Sequence, residues 1–367
     1  MNTLPGPTID DRFEAEVLSV SPLNDSVMKV RLMPLSGKTM KYSEGQFLSI
    51  ELPDGDLRSY SMASASTNDR VIELHIRLHR DGKFSRMLRN ELATGDTLKV
   101  HGPFGTCVWQ TPASEVSAIV MLATGTGIAP LNALLEAALQ SGCANPVWLY
   151  WGATTEADLY LSARFASLAA SHRNFHYVPV LSGALGYWQG KRGFVQDAAA
   201  ADHPDLSNSR VYACGAPSMI TAARDLLVGM HGLDPDNFLS DSFVASAISR
   251  PADARRAPVH VNASLVPDQV SGNVPARTLP SWTGDTLLAA LRDADLVKGV
   301  CGGNQSCGTC RVTVEKTWFD RLMPAARTES RLLQSIEDSG PFDRLACQIV
   351  LEPKLNGLSV SVPRDAF

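Results

Sequence analysis

Four cysteines carry the clearest chemical signal in this chain. Cys301, Cys307 and Cys310 lie within ten residues and Cys347 follows, giving the spacing Cys301-x5-Cys307-x2-Cys310-x36-Cys347. The residues between the first three are glycine, serine, threonine and amides. A loop of that composition can wrap backbone N–H groups around an anionic iron–sulfur cluster. Structural zinc is the alternative, but such a site usually shows two C-x2-C pairs and here the second is missing.

Other stretches suit nucleotides. In R-S-Y-S, Arg58 can fork onto a phosphate, Tyr60 can lie against a flat heterocycle and Ser61 can bond a ring nitrogen. The turn Gly82–Ser85, read as leading into a helix over Arg86–Leu92, is an anion site through its free N–H groups. G-T-G-I-A-P, Gly125 to Pro130, follows an apolar strand, and its glycines allow close approach of a pyrophosphate. C-G-A-P, Cys214 to Pro217, ends another strand. The bland readings make Arg58 and Tyr60 surface and packing residues, Phe243 ordinary core, and Cys107 and Cys143 small hydrophobes.

Three domains must position these residues. Short β-rich runs at Phe13–Val20, Val27–Met33, Gln46–Leu52, Val71–Leu78 and Thr97–His101 predict an antiparallel β-barrel over about residues 8–112. Over 115–245 apolar strands alternate with amphipathic helices, which predicts an α/β doubly wound parallel sheet. Residues 246–257 read as a linker. The order of strands and helices over 258–367, with Cys347 entering a final strand, fits a β-grasp (α+β) domain.

The chain has 367 residues, a net charge of −5 and dispersed basic residues, which argues against nucleic acid as partner. Ala118–Leu139 is apolar enough to suggest a membrane span, but Thr124–Gly127 and Pro130 interrupt it. Seven cysteines without a signal-peptide pattern fit a reducing, cytoplasmic setting.

The cysteine spacing, with Arg344, Leu345, Gln348 and Ile349 around Cys347, resembles the adrenodoxin/putidaredoxin type of [2Fe–2S] ferredoxin rather than the plant type. That implies Cys301, Cys307, Cys310 and Cys347 as cluster ligands. No acidic docking face is evident, since Arg321, Arg327 and Arg331 alternate with Glu329, Glu337 and Asp338. R-S-Y-S and G-K-F-S resemble the flavin domain of the ferredoxin–NADP reductase superfamily. The resemblance implies flavin contacts at Arg58, Tyr60, Ser61, His75, Ile76, Arg77, Gly82, Lys83, Phe84 and Ser85, with FAD favoured over FMN.

G-T-G-I-A-P and C-G-A-P resemble the nicotinamide half of the same superfamily. They imply dinucleotide contacts at Gly125, Thr126, Gly127, Pro130, Gly215 and Pro217, with Cys214 and Thr126 beside the nicotinamide. Phe243, in L-S-D-S-F, would cover the other flavin face, and Ser61 would sit near flavin N5. Trp151–Tyr160 is similar to the family's W-G-x-R-x-x-x-D-L-Y, with Thr154 in place of the arginine. Glu156 and Asp158 would repel a 2′-phosphate, favouring NADH over NADPH unless Lys191-Arg192 reaches the ribose.

Taken whole, the chain resembles single-component reductases of bacterial oxygenases, apart from its adrenodoxin-like cluster spacing. That implies electron flow from NADH through a flavin to the cluster and on to a Rieske non-haem iron oxygenase. A cytochrome P450 acceptor is the alternative. An electron-relay docking subunit, like that of some dihydroorotate dehydrogenases, is a third reading. No membrane partner is expected.

Overall fold

Alternating β-branched runs near the N-terminus form six strands: β1 (Arg12–Asn24), β2 (Val27–Pro34), β3 (Phe47–Glu51), β4 (Leu57–Ser61), β5 (Ile72–Arg77) and β6 (Thr97–Phe104). In the computed structural model the described residues are 12–35, 40–66, 70–183, 188–243, 257–265, 276–294, 296–297, 299–301, 303, 305–336 and 338–363. The expected linker, apart from Ala257, lies outside them. Contacts divide the chain near Val244 into two compact units, the first built on Phe13–Asp56 and Tyr60–Val244 and the second on Ala245–Phe367.

In the first unit the sheet order is β4-β3-β6-β1-β2-β5, with β1–β2, β2–β5 and β3–β6 antiparallel. Strand β2 shows why the chain folds so. Val27, Val30 and Leu32 point inward, whereas Lys29 and Arg31 alternate with them. The two edges of the sheet meet through a bridge between Met62 and Leu74 and a bond from Ala63 N to Glu73 O, 2.8 Å, which closes the sheet on itself. Helix α1 (Lys83–Asn90) starts three residues before the expected Arg86. Lys83, Phe84 and Ser85 therefore form its first turn rather than a turn ahead of it.

The rest of this unit is a six-stranded parallel sheet of β7 (Ala118–Thr124), β8 (Val147–Ala153), β9 (Phe175–Leu181), β10 (Lys191–Arg192), β11 (Ser209–Gly215) and β12 (Phe238–Ser242), ordered β10-β9-β8-β7-β11-β12. Helices α2 (Ile128–Gln140), α3 (Ser162–Ser171), α4 (Val195–Asp202) and α5 (Pro217–Met230) alternate with these strands. The apolar stretch from Ala118 is thus strand, tight turn and helix. Among the described residues no helix is long and apolar enough to cross a membrane.

The strand order reverses between β7 and β11, so the loops after these strands leave the same edge side by side. They come closer than side chains allow. A Cβ on Gly127 would lie 2.0 Å from the Cys214 carbonyl oxygen, and one on Gly215 would lie 2.2 Å from Thr124 Oγ1. Gly215 also has φ +140°, which non-glycine residues rarely adopt.

The second unit holds β13 (Pro258–Leu265), β14 (Arg277–Trp282), α6 (Leu287–Asp293), β15 (Arg311–Val314), α7 (Lys316–Phe319), α8 (Arg327–Gln334), β16 (Asp343–Leu345) and β17 (Leu358–Val362). Its sheet runs β14-β13-β17-β15-β16, with β13 and β17 parallel and the β13–β14, β15–β16 and β15–β17 pairs antiparallel. One expectation needs correction. Cys347 does not enter the final strand but sits in a single helical turn, Ala346–Gln348, after β16. Ala346 N donates to Cys310 O at 2.9 Å, so this turn caps the end of the β15–β16 pair.

Two buried ion pairs hold that pair of strands. Arg344 donates to both carboxylate oxygens of Glu329, at 2.8 and 3.1 Å, and to Met323 O; Leu345 N also donates to Glu329. Arg311 donates to Asp343 and to Asp338 O, while Thr313 and Gly340 N satisfy the rest of the Asp343 carboxylate. Glu329 is therefore no surface charge.

Two outcomes follow for unfolding experiments. Glu329→Ala strands Arg344 without its buried partner and is expected to cost about 3–5 kcal/mol in the transition of the second unit, whereas exposed Asp320→Ala stays within about 0.5 kcal/mol. Gly127→Ala drives a methyl into the Cys214 carbonyl and is expected to lower the stability of the first unit by about 1–3 kcal/mol or more in urea melts; a wild-type melting curve would show that the close approach is not needed.

Candidate functional site

At the switch point, Thr124 Oγ1 accepts from Ala216 N at 3.0 Å and Phe243 N donates to Gly215 O at 2.7 Å. The turn after β7, the turn after β11 and the residue after β12 are therefore locked together. Helix α2 begins behind Gly127 and α5 at Pro217; neither has a side-chain cap or an acid in its first turn. Their N–H groups and dipoles suit an anion. Thr126 is half-buried beside them, Gly127 is buried, and Pro130 is buried in the first turn of α2. Phe243 is half-buried.

Cys214 is fully buried in the core cluster that also contains Cys107, Ile128 and Trp151. The Cys107 thiol and burial push its pKa up, so it is held as a neutral thiol. What Cys214 offers at the loop is its backbone.

Barrel strand β5 reaches this loop from the other half of the same unit. The Arg77 guanidinium lies 3.0 Å from where a Gly125 Cβ would sit, and Trp151 Nε1 donates to Gly125 O at 3.0 Å. His75 is buried, with Nε2 3.1 Å from Glu73 and Nδ1 3.3 Å from the Tyr160 hydroxyl. The bond to His75, chiefly, lowers the Glu73 pKa, and burial pushes the Tyr160 hydroxyl up. Ile76 points into the barrel core, so only its backbone is available to a ligand.

On β4, Arg58 Nη1 donates to Leu57 O at 2.9 Å, Ser61 is buried, and the Tyr60 ring packs on Phe84 at 5.5 Å. Phe84 is itself core, and Ser85 Oγ accepts from His79 N at 2.9 Å. A side chain on Gly82 would crowd Ser85 Oγ at 2.9 Å. Gly82 caps α1 with no side-chain bond and no acid follows in the first turn, which leaves these N–H groups for an anion. The Lys83 ammonium, expected at the same anion, instead bonds Asp54 and Asp56, which raise its pKa.

Sequence reasoning missed several residues here. In the sequence Thr124 reads only as an interruption of an apolar run. Tyr160 had no role, although its place in the aromatic set with Trp151 and His75 joins the two halves. Asn132 Nδ2 donates to Ala63 O at 2.7 Å, while Glu136 accepts from Ala65 N and from Arg164. Ala63, Asn132, Glu136 and Arg164 line a cavity of about 280 Å³ with Lys29, Glu73 and His75. In the segment after β8, Asp158 accepts from Thr155, and Lys191 is bonded to Asp202.

The four cysteine sulfurs of the second unit come together as two pairs, Cys301 with Cys307 and Cys310 with Cys347, all nearly buried. The Cys307 thiol, then N–H groups of Ser306 and Gly303, hold the Cys301 pKa down to about 5. Cys310, then the Gln348 amide at 3.2 Å, lower that of Cys347. Burial pushes Cys307 up, and Cys347 together with burial does the same to Cys310. Gly303 and Gly308 have positive φ, as does Gln305, whose side chain accepts from Thr328 Oγ1 at 2.9 Å.

Donors from the Cys301 backbone, Thr309, Gln348 and the loop N–H groups thus converge on paired thiols. Among the described residues no three of His, Cys, Asp and Glu gather around a single ion. A donor set of two thiol pairs in a nest of N–H groups fits a two-iron cluster.

Comparisons agree with this division. Residues 14–109 match the oxidoreductase FAD-binding domain, 121–225 the oxidoreductase NAD-binding domain, and 272–352 the 2Fe-2S iron-sulfur cluster binding domain. CDP-6-deoxy-L-threo-D-glycero-4-hexulose-3-dehydrase reductase of Yersinia pestis is 39% identical over 221 residues, 60% of this chain and 65% of that protein. Reductase component 1 of terephthalate 1,2-dioxygenase from Comamonas sp. is 32% identical over 242 residues, 65% of this chain and 70% of its own. The structure of an Amycolatopsis cytochrome P450 reductase superposes with a TM-score of 0.60 at 29% identity, covering 64% of this chain and 71% of that one. With FAD-binding, NAD-binding and [2Fe–2S] domains in that order, the chain belongs to the ferredoxin–NADP reductase superfamily.

Proposed function

We propose that this chain oxidises NADH and passes electrons through bound FAD to a [2Fe–2S] cluster and on to a terminal Rieske non-haem iron oxygenase. The observation that carries this reading is the meeting of barrel strand β5 with the loop Gly125–Gly127, where Arg77 lies against Gly125 and His75 against Tyr160. Hydride transfer needs a flavin strand and a dinucleotide loop in contact. When bound, the flavin links two-electron exchange with NADH to one-electron exchange with the cluster.

In this reading Arg58 and the first turn of α1, from Gly82 to Ser85, hold the flavin phosphates, with Tyr60 and Ser61 against its ring. The backbones of His75, Ile76 and Arg77 line the same strand. Gly125, Thr126, Gly127 and Pro130, with Cys214, Gly215 and Pro217, hold NADH through two helix N-termini. Phe243, tied to Gly215, covers the flavin face that the nicotinamide must reach. Cys301, Cys307, Cys310 and Cys347 ligate the cluster.

The proposed domain extents are 8–112, 115–245 and 258–367, joined by 246–257. All seven cysteines are free, which suits a reducing cytoplasm. NADH is preferred over NADPH because Lys191 is committed to Asp202 and Glu156 stands exposed beside Asp158. A Rieske acceptor draws support from the terephthalate dioxygenase relative, and a cytochrome P450 acceptor, the second reading, from the Amycolatopsis reductase.

Anaerobic titration with NADH, and separately NADPH, tests the core of this. Flavin bleaching at lower NADH than NADPH, followed by the low-temperature EPR signal of a reduced [2Fe–2S] centre, is expected. A flavin that bleaches beside an intact cluster that stays oxidised would favour the relay-subunit reading instead. Cys301→Ser is expected to lower iron and sulfide content sharply while NADH still bleaches the flavin; unchanged iron content would remove Cys301 from the ligand set.

A further inference from the structure

Helix α2, which opens behind the loop Gly125–Gly127, is tied to the barrel by side chains that the nucleotide reading does not use. Asn132, buried just past the first turn of the helix, donates from Nδ2 to Ala63 O at 2.7 Å and to Glu136 Oε1 at 3.2 Å, and accepts from Arg164 Nε at 3.2 Å. Glu136, one turn further on, accepts from Ala65 N at 2.8 Å and from Arg164 Nη2 at 2.6 Å. Two residues of α2, braced by one from α3, thus hold a short stretch of barrel backbone. The barrel fixes the same stretch from its own side, since Ala63 N donates to Glu73 O and the Tyr42 hydroxyl donates to Ser64 O.

This stretch leads straight out of the flavin strand. Ala63 is two residues beyond Ser61, about 7 Å at the rise of a strand, and Asn132 is five residues beyond Gly127, about 7.5 Å at the rise of a helix. The two arms are short and nearly equal, so a displacement at the Asn132–Ala63 bond passes almost undiminished to both ends. Packing does little to prevent one on this flank of α2, because Ala63, Asn132, Glu136 and Arg164 border the cavity of about 280 Å³. The bonded network supplies the rigidity there instead.

We propose that Asn132, held in orientation by Glu136 and Arg164, is a positioning residue for hydride transfer, setting the separation of the dinucleotide loop from the flavin strand through the backbone at Ala63. The assignment rests on the reading of NADH as donor and FAD as acceptor, in which a hydride with its electron pair leaves the nicotinamide, giving NAD+, and bonds the flavin. Such a step is steep in distance: about 1 Å of misplacement can cost about a hundredfold in rate.

The test is rapid anaerobic mixing of the full, cofactor-loaded chain with NADH, and with NADH deuterated at the transferred position, for the wild type, Asn132→Leu and Arg164→Met. In Asn132→Leu, bleaching at saturating NADH is expected to slow about tenfold or more per bound flavin, with the Kd for NADH within about twofold and a larger deuterium isotope effect. The long-wavelength charge-transfer absorbance of the NADH–flavin pair weakens, and amide exchange over residues 63–66, followed by mass spectrometry, quickens with or without nucleotide. Arg164, whose side chain is 44% exposed, can be replaced without emptying the core, and Arg164→Met moves the same readouts the same way by less.

Bleaching as fast as in the wild type, per bound flavin, in both variants overturns the proposal. So does slowing that comes with an equal rise in Kd and an unchanged isotope effect, which marks a loosened nucleotide site instead. If Asn132→Leu does not fold or retain flavin, Arg164→Met decides alone, and an unchanged rate and charge-transfer band in it overturn the proposal. A wild type that NADH cannot bleach sinks the donor reading and this proposal with it, whereas normal bleaching beside unaffected variants sinks only the proposal.

Discussion

Two backbones meeting with no side chain between them set the geometry of the nucleotide end. Strands β7 and β11 are hydrogen-bonded neighbours, so their following loops must share one edge. Only glycine at 127 and 215 lets the loops close to contact. That contact aligns Thr124 Oγ1 with Ala216 N and Gly215 O with Phe243 N. It also brings the uncapped N-termini of α2 and α5 to one place, where their dipoles add rather than point apart. An edge suited to an anion results from topology and two missing methyl groups, with no lysine required.

The cluster end uses buried charge instead of closeness. A buried ion pair is a poor source of net stability, because desolvation offsets most of the Coulomb attraction. Its worth here is positional. Glu329 accepts from Arg344 and from Leu345 N, while Asp343 takes bonds from Arg311, Thr313 and Gly340 N. Arg311 follows Cys310 directly, and Arg344 precedes Cys347 by three residues. The two carboxylates therefore fix the strand pair whose ends present the third and fourth thiols.

Much of this was legible in sequence where one local pattern determined the outcome. The alternation in β2, the apolar runs of β7 and β8, and the glycine loops all report on neighbours a few residues away. What escaped depends on partners far along the chain. Glu329 reads as a surface charge until its partner fifteen residues on is known, and the His75–Tyr160 contact spans 85 residues. The start of α1 was misplaced because Gly82 offers no side-chain cap to announce it. Cys347 reads in sequence as the entry to the final strand, but the bond from Ala346 N to Cys310 O turns the chain there.

The absence of caps and the nest around the thiols are two forms of one electrostatic arrangement. At α1, α2 and α5 the N–H groups that a capping side chain would otherwise occupy face the edge where phosphates are expected, which trades local helix stability for affinity. Around the cysteines the donors are already engaged with sulfur, from Cys301 N to the Gln348 amide. Four buried thiols cannot all ionise together, so within each pair one is held low and the other high. Ligating a cluster would release those shared protons and replace repulsion with bonds, and these four thiols, with the left-handed Gln305 beside them, would then couple the conformation of the loop to its assembly.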